Sequence, residues 1–140
     1  MRQKGLPKLI ALIFADWTFR TLGSNGKSNM ESISPHLIQV ASILRMLGCD
    51  VEPGYFSWIN CKNTIVNHFI EIGTGEGKSI ILGVVSIILA LFGNQVDCVC
   101  YSQYLSNRDC ASFQQMFTDF DVQHKIAYYT FNELAEKLLN

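Results

Sequence analysis

Charge is what this sequence has least of. Asp, Glu, Lys and Arg make up only 16% of it, against 49% hydrophobic residues, whereas an average soluble domain is about 25% charged. Such leanness points to apolar surface that a partner or further chain covers. The net charge of −1 and pI near 6.3 supply no basic field of the kind that draws in nucleic acid. The five cysteines, Cys49, Cys61, Cys98, Cys100 and Cys110, form no CxxC pair and are odd in number. They are expected to be reduced, intracellular and mostly buried, with Cys98 and Cys100 on one face of a strand as core residues. His36, His68 and His124 lack ligand spacing, so no zinc site is expected. No apolar run reaches the ~20 residues of a membrane span. The longest, IILGVVSIILALFG, stops short and begins directly after Lys78 and Ser79. The opening, MRQKGLPKLIALIF, has the basic front and short apolar run of a signal peptide. It has no small-x-small cleavage site before Asp16 and Trp17, and reads as a core helix.

What is present is an alternation of helix and strand signals, in a chain of 140 residues that suits one domain with a real core. Residues 6–22 read as a helix, and the turn formers of GSNGKSN follow. Ser34-Pro35 signals a second helix, capped by the serine, which runs through HLIQVASILRMLG to end near Gly48. DVEPGYFSWINCKN, with Pro53-Gly54, reads as an irregular connection or insertion. VNHFIEI is then a strand, followed by a glycine-rich turn and a helix from about Gly77 to Phe92, stopped by Gly93-Asn94. QVDCVCY is a strand, YLSNRDCASFQQMFTDF a helix, HKIAYY a strand and FNELAEKLLN a closing helix. The expected fold class is α/β, a parallel sheet covered by helices on both faces.

The turn EIGTGEGKSIILG carries the chemistry. Gly77, Lys78 and Ser79 fit the end of the phosphate-loop pattern G-x-x-x-x-G-K-[ST], while Ile72 holds the place of its first glycine. Small residues between a strand and a helix let backbone N–H groups converge on phosphate oxygens, and the helix N-terminus adds partial positive charge. Lys78 can reach the outer phosphates, and Ser79 offers Mg²⁺ a hydroxyl oxygen. Behind the loop, Ser79, Gly83, Ser86 and Ala90 form a stripe of small side chains at helical spacing, which would let the helix approach the sheet closely. The dinucleotide fingerprint fails, because Gly73-x-Gly75 would need its third glycine where Lys78 stands.

TGEGKS, preceded by the apolar Ile72, resembles motif I of the SecA protein-translocation ATPases. In that family and in related helicases an alanine or methionine replaces the first loop glycine. Gly73 stands where bacterial members often have a basic residue. YLSNRDCASFQQMF is similar to the family's YLAxRDAE segment, keeping Tyr104, Leu105, Arg108 and Asp109. SPHLIQV is similar to its RPFDVQ segment, keeping Pro35 and Gln39, with Ser34 in place of the arginine. IAYYTFNELAEKLLN resembles the strand-then-TFNxL segment of divergent, eukaryotic-type relatives. The resemblance implies a RecA-like phosphate-loop domain, partial over residues 34–140, preceded by a helical segment over residues 1–33. It implies ATP and Mg²⁺ as ligands, with phosphates on Thr74, Gly75, Glu76, Gly77, Lys78 and Ser79, Mg²⁺ on Ser79, and adenine read by Gln39. Taken alone, Gln39 is a solvent-facing helical amide, Arg108-Asp109 a surface ion pair of little energetic consequence, and Tyr104 and Phe113 core residues. Their co-occurrence with TGEGKS is what lifts them.

Hydrolysis in this class needs an acidic pair at the end of a later strand, and the chain contains no Asp-Glu dipeptide. Asp16 lies upstream of the loop in a helical run, and Asp119 and Asp121 follow a helix. The second lobe, whose arginine finger is worth ~10³–10⁵ in rate, is also missing. The expectation is an ATP-binding fragment or truncated product of a SecA-like motor ATPase, hydrolysing little alone. It would be cytoplasmic, with a parent peripheral at a membrane that engages a polypeptide substrate and a translocase. Two rival readings stand beside it: a helicase-type lobe acting on nucleic acid, and a non-catalytic interaction module on the same fold.

Overall fold

The computed structural model describes residues 5–24, 34–48 and 67–139. Most of the GSNGKSN turn and all of the DVEPGYFSWINCKN connection, with Cys49 and Cys61, lie outside the described residues. The elements are α1 (Leu6–Ser24), α2 (Leu37–Met46), α3 (Lys78–Leu91), β1 (Val96–Cys100), α4 (Gln103–Asp119), β2 (Ile126–Thr130) and α5 (Phe131–Leu139).

The centre of the molecule is α3, whose sequence is apolar almost all round. Ile81, Val84, Ile87, Ile88 and Ala90 are buried in one core with Ile10, Ile13 and Phe14 of α1, Ile43 of α2, and Phe113, Met116 and Phe117 of α4. A helix apolar on every side must be surrounded, and α1, α2, α4 and β1 all pack on this one. β1 and β2 form a two-stranded parallel sheet in register from Val96↔Ile126 to Cys100↔Thr130, with α4 as the crossover. Cys98 and Tyr128 face the core, where the Tyr128 ring lies 6.2 Å from that of Phe117. On the opposite face, Lys137 of α5 donates to Asp97 of β1 at 2.9 Å and lies 4.7 Å over the Tyr129 ring. Helices therefore flank both sides of this parallel pair, as the alternation of signals led one to expect.

Helix ends follow the local chemistry. At the end of α3, Gly93 (φ 97°) gives its N–H to Ala90 O at 3.0 Å and Asn94 N donates to Leu89 O at 3.1 Å, the reciprocal pair of a Schellman stop. Asp121 (φ 53°) plays the glycine's part after α4, with Val122 N on Phe117 O at 2.8 Å. The TFNE at the start of α5 is a capping box: Glu133 Oε2 accepts from Thr130 N at 2.7 Å, and Thr130 Oγ1 accepts from Glu133 N at 3.3 Å.

Three local expectations need correction. The run VNHFIEI is not a strand over its described residues. Residues 67–73 are extended, with His68, Ile70 and Ile72 half-buried and Asn67, Phe69 and Glu71 exposed. The period of two survives, but among the described residues β1 and β2 pair only with each other, and an extended run becomes a strand only through a ladder partner. The cap of α2 is His36, not Ser34, because Gln39 Oε1 reaches back to accept from His36 N at 3.0 Å. The small-residue stripe meets α4 as well as the sheet: a Cβ at Gly83 would stand 3.0 Å from the Phe113 ring, whereas Ser86 contacts Cys98 of β1 at 3.1 Å.

Two predictions follow from these contacts. Replacing Gly83 by Ala gains about 1 kcal/mol of helix propensity but overpacks the Phe113 ring, at a cost of about 1–3 kcal/mol. Phe113 is 2% exposed and its ring centroid sits 4.9 Å from that of Trp17 and 6.3 Å from that of Phe117, so it has no room to yield. Gly83→Ala should lower the urea midpoint with an unchanged m-value. The second concerns acid. The Thr130 backbone N–H and then its hydroxyl hold the Glu133 carboxyl below its ordinary range. The unfolded chain therefore takes up this proton at a higher pH than the folded one. The contribution is complete above the ordinary Glu value of about 4.3 and is lost as pH falls through the folded value. Glu133→Gln should flatten this part of the acid limb in a plot of Tm against pH.

Candidate functional site

The site is assembled where the extended residues 67–73 turn into α3. Gly75 (φ 88°) and Gly77 (φ 77°) both hold left-handed backbone conformations, which other residues adopt only with strain. Gly77 is the N-cap of α3, and its carbonyl accepts from Ile80 N at 3.1 Å and Ile81 N at 3.2 Å. The N–H groups of Lys78 and Ser79 precede that first helical bond and so have no intrahelical acceptor. They leave the positive end of the α3 dipole facing the loop, an arrangement that suits an anion.

Two interactions hold the loop from either side. Lys78 Nζ folds back to donate to Ile72 O at 2.9 Å and Gly73 O at 2.8 Å. Its remaining hydrogen and its exposed position leave the ammonium free to exchange partners. From α2, Gln39 Nε2 donates to Glu76 O at 3.1 Å while its Oε1 is engaged by His36 N. Gln39 is 6% exposed, so it is not the solvent-facing amide that a lone helical glutamine would be. It presses so close that a Cβ on Gly77 would stand 2.5 Å from Nε2. The lack of a side chain at Gly77 thus serves two ends, the backbone conformation and the room for Gln39.

A third interaction comes from α4. Ser79 Oγ donates to Asp109 Oδ2 at 2.9 Å. Asp109 Oδ1 takes two hydrogen bonds from Arg108, from Nε at 2.9 Å and Nη2 at 2.7 Å, and Nη2 also reaches Ser79 Oγ at 3.3 Å. The carboxylate raises the Arg108 pKa above its ordinary value, first through these hydrogen bonds and then through charge. Asp109 is only 6% exposed, which corrects the reading of Arg108-Asp109 as a surface pair. Phe113 is core as expected, but Tyr104 is 75% exposed, so the core reading of Tyr104 fails.

Deeper along the same seam, Ser86 Oγ donates to Leu82 O at 2.7 Å, which spends its one hydrogen. The Cys98 thiol is then the donor in their 3.1 Å contact. Burial pushes the Cys98 thiol pKa up. The Tyr128 hydroxyl lies beside it without a well-formed hydrogen bond, and burial pushes its pKa up strongly as well. Cys98, Cys100 and Cys110 are free thiols. Among the described residues no three His, Cys, Asp or Glu side chains are grouped to hold a metal ion, and no helix is long and apolar enough to cross a membrane.

Of the residues singled out in the sequence, the structure brings Gln39, Glu76 and Gly77 into direct contact, and places Lys78 and Ser79 on the first turn of α3. The side chains of Thr74 and Glu76 are exposed. Asp109 is the member that local sequence reasoning missed. Nothing in the residues around it announces a partner 30 positions away. A family model described as the SecA DEAD-like domain matches residues 59–137. The span includes the loop, α3, both strands and α4, and it exceeds half of the chain; Gln39 lies ahead of it. No curated protein and no solved structure matches the chain.

The loop geometry makes its own prediction. Gly77→Ala should cost about 1–2 kcal/mol in left-handed strain alone, and more through the clash with Gln39. Removing the clashing amide should relieve that second part. The double variant with Gln39→Ala should therefore be more stable in denaturant titrations than the sum of the single losses implies.

Proposed function

The chain belongs to the SecA DEAD-like domain family, and on that premise we propose that it binds ATP at the turn over residues 72–79. The observation that carries the reading is the loop itself. Left-handed Gly75 and Gly77 lead into a helix whose first N–H groups have no intrahelical acceptor, beside a lysine held only by backbone carbonyls. The donor set fits a polyphosphate, with backbone N–H groups and an ammonium for the oxygens, and a hydroxyl at Ser79 for a hard cation. Larger side chains at Gly75 and Gly77 would be strained, and at Gly77 one would fill the space that Gln39 occupies.

In this reading Thr74, Gly75, Glu76 and Gly77 wrap the outer phosphates through their backbone. Lys78 exchanges the carbonyls of Ile72 and Gly73 for phosphate oxygens, replacing two neutral acceptors by a charged one. Ser79 offers its oxygen to Mg²⁺, which when bound neutralises phosphate charge. Gln39 borders the adenine side, already fixed to the loop through Glu76 O. The β1–α4–β2 unit and the loop-to-α3 junction would be part of a RecA-like sheet over residues 34–140, with residues 1–33 as a helical segment ahead of it. The wider role is that of a nucleotide-binding motor domain in protein translocation, with a polypeptide as the moved substrate and a membrane translocase as partner. The proposal for this chain is confined to binding, since no Asp-Glu dipeptide stands in its sequence to activate water.

The test is a titration with a fluorescent ATP analogue, comparing the wild-type chain with Lys78→Ala. Wild type should bind and the variant should bind at least about tenfold more weakly, the loss of about 1.4 kcal/mol that a charge-assisted hydrogen bond supplies. Equal affinities would sink the site. Thermal unfolding gives the same answer by another route, because nucleotide at 100 times Kd should stabilise the folded chain by about 2.7 kcal/mol.

A further inference from the structure

The buried Asp109 carboxylate has no part in the nucleotide reading, yet it is the only side chain besides Arg108 that the structure shows hydrogen-bonded to Ser79 among the described residues. A hydroxyl that ligates a cation does so through an oxygen lone pair, and its hydrogen must then point to an acceptor elsewhere. Asp109 Oδ2, at 2.9 Å and accepting from Ser79 Oγ, is such an acceptor already in place. The carboxylate is itself fixed: Arg108 grips Oδ1 through Nε and Nη2, which leaves Oδ2 turned to the serine. We propose that Asp109 is a positioning residue for cation binding at this loop, acting through Ser79. It orients the hydroxyl so that its lone pairs face the place a divalent ion would take, and the Arg108 guanidinium locks it in that orientation.

The same geometry assigns Arg108 a second effect. Its Nη2 reaches Ser79 Oγ at 3.3 Å, a long contact to one of the two lone pairs on the hydroxyl that a cation could use. Loading of the cation displaces this contact while leaving both Arg108–Asp109 bonds intact, so the clamp survives when the lone pair is taken. Burial is what makes the arrangement effective. At 6% exposure Asp109 cannot turn to water without leaving the Arg108 and Ser79 donors, whereas an exposed carboxylate would sample many rotamers. Outer partners of this kind commonly set metal affinity by about 10–100-fold.

The proposal rests on the nucleotide reading, and its test separates the two. The full chain is titrated with the fluorescent ATP analogue in EDTA and then with Mg²⁺, for wild type, Asp109→Asn, Asp109→Ala, Ser79→Ala and the Ser79→Ala/Asp109→Ala double variant. Asp109→Asn keeps the shape of the side chain, and unfolding midpoints of the free proteins report any loss of structure. The expected result is an apparent Mg²⁺ affinity about 10–100-fold weaker in both Asp109 variants, with nucleotide affinity in EDTA unchanged. In the Ser79→Ala background, removing Asp109 should have no further effect, because the hydroxyl through which it acts is gone. Unchanged Mg²⁺ affinity in the Asp109 variants overturns the proposal alone. So does an undiminished effect of Asp109→Ala in the Ser79→Ala background, which would make Asp109 a mere source of negative charge. An equal loss with and without Mg²⁺, accompanied by a lower unfolding midpoint, assigns Asp109 a structural role and overturns it too. A wild-type chain that binds no analogue under either condition overturns the nucleotide reading itself, and this proposal with it.

Discussion

The small side chains along one face of α3 set how closely its neighbours can come, and the rest of the molecule is arranged around that distance. With Ser79, Gly83, Ser86 and Ala90 on this face, no branched side chain holds α4 and β1 away. The Phe113 ring settles over Gly83, and the Cys98 thiol reaches Ser86. One turn beyond Gly83, the same close approach brings the α4 carboxylate of Asp109 onto Ser79. Packing at the hydrophobic end of the seam thus fixes geometry at its polar end. The two cannot be varied independently, since dense interiors transmit small displacements.

The loop adds an electrostatic constraint. An isolated ammonium beside a helix N-terminus would be repelled by the positive end of the dipole. Lys78 avoids this by folding onto the carbonyls of Ile72 and Gly73, which also draws the two ends of the turn together. Gln39 restrains the middle of the turn from α2. The loop is therefore shaped in advance, and a ligand would exchange partners with Lys78 instead of ordering a free chain, which lowers the entropic cost of binding.

Much of this was legible in the residues. The GKS turn before an apolar run gave α3, and Gly93-Asn94 marked its end to within two residues. The spacing of QVDCVCY and HKIAYY around a helix gave a parallel pair. Those features are written locally, in backbone conformations and periodicities that do not depend on distant contacts. What the sequence concealed depends on tertiary neighbours. Residues 67–73 have the alternation of a strand but no ladder partner among the described residues. The T-x-x-E of Thr130 and Glu133 is a local capping-box signature, and the structure forms both of its hydrogen bonds. Asp109 looks like half of a surface pair until α4 is packed on α3. Tyr104 looks like core until the register of α4 turns it outward.

The way α5 is attached has a consequence for how the molecule opens. None of its residues is buried, and the Thr130–Glu133 cap and the Lys137 contacts with Asp97 and Tyr129 tie it to the sheet from the surface. α3, by contrast, is enclosed by α1, α2, α4 and β1. Stability in this chain is therefore graded along its length: α5 can detach and re-form in local excursions far smaller than global unfolding. Each excursion uncovers one face of β1 and β2 while the packing of α3 against α4 stays in place. The outer face of the sheet can therefore be exposed independently of the turn over residues 72–79.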